Sequence, residues 1–199
     1  MVIFKQPWKR FVVSERHRAT STASPAFPPV IRPQLALRSV DSRFQFVTLR
    51  SAKMSELLAD VELCRLDGER TTGHRALENK VVALFFSAHW CAPCRGFTPI
   101  LKEFYEELED RDFEIVFVSC DKSEHELLAY MADSHGNWLY IPFSSSQITL
   151  LSKRYNLNGI GIPMLIIVKP NGEIITKDGR SEVFSKAPIN AYNSWKSQL

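Results

Sequence analysis

Long apolar runs are missing from this chain of 199 residues. No window approaches 18 uninterrupted apolar residues, so no transmembrane helix is expected. Cysteine is scarce: four residues are too few to staple a small secreted scaffold. No Gly-x-Gly-x-x-Gly followed by an acidic residue is present, so no bound nicotinamide or flavin is indicated. Only one Cys-x-x-Cys occurs, with no His-x-x-x-His, which leaves any zinc site short of ligands; no metal is expected. Glycine is absent from residues 1–53, where ten basic residues face only Glu15 and Asp41. That segment is therefore +8 and the remainder −5, although the whole chain is only +3. Disorder throughout is excluded, because 45% of the residues are hydrophobic.

What is present divides the chain into 1–53 and 54–199. The first segment holds five of the eleven prolines and no sustained period, so little packed structure is expected there. It lacks the apolar core of a secretory signal. Being rich in arginine and poor in acid, it reads either as a mitochondrial transit peptide or as a disordered extension. Met54 is also a plausible start for a shorter product. Scattered basic residues with few aromatics between them argue against a nucleic-acid-binding tail.

From Met54 the pattern turns periodic. Residues 61–66 alternate and meet the turn signal Asp67-Gly68. Residues 80–87 and 113–120 are apolar runs that read as strands buried on both faces. Between them Phe97, Ile100, Leu101, Phe104, Tyr105 and Leu108 fall at helical spacing. Ser123 with Glu126 marks a capping box, and a further helix is expected over 146–155. Residues 164–168 and 173–176 flank Asn171-Gly172, a hairpin signal. One amphipathic segment closes the chain at about 181–195. The order β, β, α, β, α, α, β, β, α predicts an α/β fold, a mixed sheet with helices on both faces.

Chemistry concentrates in Trp90-Cys91-Ala92-Pro93-Cys94-Arg95, between a buried strand and a helix. Unpaired N–H groups at a helix start favour negative charge, so Cys91 is expected to hold a lowered pKa. Cys94 lies about one turn on and can resolve a mixed disulfide formed at Cys91. Pro93 in the first turn costs no hydrogen bond, and Arg95 adds positive charge. Half of a zinc site, or two structural cysteines in a reduced core, are the alternatives at this point. Ile162-Pro163 enters a strand, and a cis bond there would present the Ile162 backbone to an extended substrate. Cys120 ends a strand on what is expected to be the same edge as Cys91, either as a third redox cysteine or as a plain reduced one. Cys64 reads as a core or hairpin residue, His89 as an exposed bystander, and His74, His125 and His135 show no ligand spacing. The acidic run 103–114 reads as a solvated helix face and loop.

Residues 86–99 resemble the active-site stretch of tryparedoxins and nucleoredoxins. Residues 113–123, 138–143, 155–165, 171–176 and 179–180 continue the likeness, which covers about 57–195. The resemblance implies a thioredoxin-like fold and a protein-disulfide oxidoreductase with Cys91 as nucleophile and Cys94 as resolving thiol. Trp90, Ala92, Pro93 and Arg95 would border the substrate, with Pro163 as a cis-proline facing the disulfide and Ile162 beside it. It also implies protein-disulfide substrates, an upstream thiol reductant as external electron donor, and no bound cofactor. A monomer in the cytoplasm and nucleus is expected, or in the mitochondrion if 1–53 is a transit peptide. A redox-sensitive binding module acting on a signalling partner is the alternative function. Two departures stand out: Asn158 to Gly161 lengthens the loop before Ile162, and Cys120 replaces a tryptophan common in tryparedoxins.

Overall fold

The computed structural model describes residues 58–169 and 171–199. The basic segment 1–53 and the Met54 start lie outside the described residues. Among the described residues, seven strands form one mixed sheet: β1 Glu62–Cys64, β2 Arg70–Thr72, β3 Val81–Ser87, β4 Phe113–Ser119, β5 Leu139–Tyr140, β6 Met164–Val168 and β7 Ile174–Thr176, in the order β2-β1-β5-β4-β3-β6-β7. The helices are α1 Gly73–Leu77, α2 Ala92–Glu106, α3 Glu124–Ser134, α4 Ser146–Arg154, α5 Leu157–Ile160, α6 Gly179–Ser185 and α7 Pro188–Lys196. Among the described residues no helix is long and apolar enough to cross a membrane.

The two central strands are buried along their whole length, as their unbroken apolar runs require. Their side chains alternate between two cores. Val81, Ala83 and Phe85 join Ile115 and Phe117 against Phe97, Leu101 and Phe104 of α2, Tyr130 of α3 and Trp195 of α7. Val82, Leu84 and Phe86 point the other way, onto Leu77 of α1 and Leu151 of α4. Helices therefore cover both faces, as the element order predicts.

Several local expectations hold. Ser123 Oγ accepts the Glu126 N–H at 3.2 Å, while the Glu126 carboxylate reaches back to the Lys122 N–H at 2.9 Å. The β6–β7 hairpin closes with Gly172 at φ 75°, the left-handed region that the Asn-Gly signal anticipates.

Three differences have physical causes. The closing segment is two helices, because extended Lys186 and Ala187 and the helix-starting Pro188 interrupt it. β5 was not legible as a strand, since it is two residues long and exists through pairing of Leu139 with Val116 and Tyr140 with Phe117. Glu114 departs from the solvated acidic run: it is buried in β4, 2.9 Å from Arg65 and 3.4 Å from Lys80, and accepts the Tyr105 hydroxyl at 2.9 Å.

Topology places the site. β3 and β4 run parallel in register from Val81 opposite Phe113 to Ser87 opposite Ser119. Their carboxyl ends release 88–91 and 120–121 side by side, at the edge where α/β folds gather their chemistry.

Candidate active site

Cys91 is the N-cap of α2, in extended conformation, and Pro93 lies within the first turn. The helix thus begins just after Cys91, which puts this cysteine at the helix start as its sequence position predicts. Cys91 and Cys94 are disulfide-bonded, with Cα atoms 5.2 Å apart. Cys91 keeps 7% exposure and Cys94 none. Ala92 and Pro93 between them are exposed. The pair sits with Ala88 in a small apolar cluster against which Cys120 and Ile162 pack.

Ile162-Pro163 is cis, Pro163 is buried, and the Ile162 carbonyl oxygen lies 3.9 Å from Cys91 Sγ. The lengthened loop before it is the short helix α5, which leaves through Gly161 at φ 85°, a backbone conformation that favours glycine. Trp90 is 54% exposed, and its indole N–H donates to the Cys120 carbonyl at 3.1 Å. Arg95 turns back so that Nη1 donates to the His89 carbonyl at 2.5 Å.

Behind the disulfide lies a hydroxyl chain. Thr98 Oγ1 donates to the Cys94 carbonyl at 3.0 Å and meets the Tyr130 hydroxyl at 2.5 Å; Tyr130 in turn meets Ser87 Oγ at 3.0 Å. All three side chains are buried. The chain ties the first turn of α2 to the end of β3 through α3. Tyr130, Thr98 and Asp121 were not singled out from the sequence. The available signal was weak: polar residues just past the carboxyl ends of buried strands, and one hydroxyl a helical turn beyond Cys94.

Cys120 does sit on the same edge as Cys91. Burial, with the neighbouring Asp121 charge adding to it, pushes its thiol up to about 11, so it is a poor thiolate source at neutral pH. Cys64 is buried in β1. His89 is half-buried, and its ring stacks on Tyr130 with centroids 5.4 Å apart. Among the described residues no group of three or more His, Cys, Asp and Glu side chains is arranged to hold a metal ion.

A family model described as thioredoxin-like matches residues 79–174. Mouse nucleoredoxin is 40% identical over 113 residues, 55% of this chain and 25% of that protein. The chain belongs to the thioredoxin-like family of nucleoredoxins and tryparedoxins. Among solved structures, a thioredoxin from Wuchereria bancrofti is 54% identical, with a TM-score of 0.62 over 72% of this chain and 99% of that one. Tryparedoxin I from Leishmania major is 34% identical, with a TM-score of 0.59 over 66% of this chain and 89% of its own. The family is one of thioredoxin-fold oxidoreductases of the thiol–disulfide class. The chain spans about a quarter of the nucleoredoxin it matches.

Proposed function

We propose that the chain is a protein-disulfide reductase working through a Cys91–Cys94 dithiol–disulfide couple. The observation that carries this reading is the disulfide at the start of α2, with the Ile162 carbonyl 3.9 Å from the more exposed sulfur.

In the reduced protein Cys91 attacks as thiolate, favoured by the helix start. One substrate sulfur bonds to Cys91 and the other leaves as thiolate. Cys94, buried behind it, then attacks the Cys91 sulfur. The second substrate thiol leaves, and the Cys91–Cys94 disulfide forms. Two electrons have passed to the substrate, and an upstream thiol reductant returns them. Trp90, Ala92, Pro93 and Arg95 border the approach, and the Ile162-Pro163 segment offers backbone to an extended substrate segment. No cofactor takes part in this scheme, and a monomer suffices. The reductase direction suits the reducing cytoplasm and nucleus. Import of a tagged full-length chain, but not of a Met54-start form, would move that setting to the mitochondrion.

The test is insulin reduction with dithiothreitol as donor. The wild-type chain is expected to accelerate it and Cys91→Ser to abolish the acceleration. An inert wild type overturns the reading. A partner retained by the Cys91→Ser, Cys94→Ser double variant under reducing conditions would instead make the domain a redox-sensitive binding module.

A further inference from the structure

Asp121 is a buried carboxylate that accepts from neutral donors, a backbone N–H and a hydroxyl. Its Oδ1 accepts the His89 backbone N–H at 2.7 Å and its Oδ2 accepts the Ser119 hydroxyl at 2.8 Å. Its own N–H returns to Ser119 Oγ at 2.9 Å. Ser119 is buried at the last position of β4, so the strand end, not solvent, orients the carboxylate.

The group it grips is the chain just before the disulfide. Asp121 holds the N–H of His89, and Arg95 holds its carbonyl. The His89 ring stacks on Tyr130, and the Trp90 indole is tied to the Cys120 carbonyl. Cys91 follows at once, its N–H turned back to the Ala88 carbonyl at 3.2 Å. Asp121 is thus the anchor that fixes this loop from the end of β4.

We propose that Asp121 is a positioning residue for thiol–disulfide exchange, holding the His89–Trp90 loop so that Cys91 stays at the start of α2. This rests on the reading of Cys91 as the attacking thiol. The physical reason is short range. A helix terminus stabilises charge only within its first turn, and reacting atoms tolerate little displacement. The carboxylate's charge works the other way, since an anion near a thiolate disfavours it. The charged and titratable groups around it are His89, Arg95 from α2, Tyr130 from α3 and Cys120 beside it. What Asp121 contributes is therefore its hydrogen-bond acceptor, not its charge.

Asp121→Asn and Asp121→Ala separate the two. Both remove the charge, and only Asn keeps an oxygen for the His89 N–H. Iodoacetamide alkylation of Cys91 in the reduced full chain is followed by mass spectrometry across pH, with circular dichroism as the folding control. Losing the acceptor is expected to make Asp121→Ala about tenfold slower than Asp121→Asn at neutral pH. Its alkylation midpoint is expected about half a pH unit higher or more. Asp121→Asn is expected within about threefold of wild type. Equal rates and midpoints in the two folded variants overturn the proposal. If Asp121→Ala does not fold, Ser119→Ala decides: it frees one carboxylate oxygen while keeping the charge, and about threefold slower alkylation is expected. An unchanged rate there overturns the proposal. Alkylation needs no protein substrate, so a wild type that alkylates readily yet leaves insulin intact refutes the reductase reading and leaves this test readable.

Discussion

β4 carries a buried carboxylate near each end, and the two are satisfied in opposite ways. Glu114, near its start, faces the Arg65 and Lys80 cations and the Tyr105 hydroxyl. Arg65 also donates to the Asn137 carbonyl. The cluster joins the β1–β2 turn, the start of β3, α2 and the segment before β5. Asp121, just past the other end, is held by a backbone N–H and a hydroxyl. A buried anion matched by cations holds structure together, and removing it strands those cations. An anion held by neutral donors beside a thiol pair sets geometry instead. The same strand thus supports the fold at one end and the chemistry at the other.

Breaking the structural end has the largest expected effect. Glu114→Ala should lower unfolding free energy by about 3 kcal/mol, measured by urea denaturation, because it leaves half-buried Lys80 without its carboxylate and half-buried Arg65 with only the exposed Glu69. The Cys91 alkylation rate should not change. A slowed rate in the folded variant would erase the division between the two ends.

An intermediate effect comes from His135, which belongs to neither carboxylate. Its ring is buried among Phe117, Tyr130 and Trp138, and its Nδ1 accepts the Trp138 indole N–H at 3.1 Å. Burial pushes its pKa down to about 3. The folded state therefore requires neutral imidazole, whereas the unfolded chain takes up a proton below about pH 6.5. This contribution to stability is present above that pH and is lost progressively as pH falls toward 3, by up to about 1.4 kcal/mol per unit. His135→Phe should flatten the acid limb of a urea-denaturation series. A limb of unchanged slope would assign it to the carboxylates.

Cys120→Ser should have the smallest effect, with insulin reduction unchanged. In the wild type Cys120 should alkylate appreciably only as pH nears 11. Fast alkylation of Cys120 at neutral pH would make it a third redox cysteine.

Much of this was legible because it is local. The unbroken runs of β3 and β4, the Ser123 cap and the Asn-Gly hairpin each carry their signal within a few residues. The cysteine pair at a helix start is equally local. Glu114 and Asp121 were not legible, because the partners that define their roles lie far away in sequence. Arg65 is 49 residues from Glu114, and His89 is 32 from Asp121. The His89 bond also uses a backbone N–H, which leaves no side-chain mark. The break between α6 and α7 had a signal in Pro188. It was masked because Val183, Ala191, Tyr192 and Trp195 bury into one core across it.

The central claim is that Cys91 attacks and Cys94 resolves. Cys94→Ser, reduced and then mixed with a peptide disulfide, tests it most directly through mass mapping of the trapped adduct. A mixed disulfide at Cys91 is predicted. An adduct at Cys120 or Cys64 with Cys91 left free would contradict it.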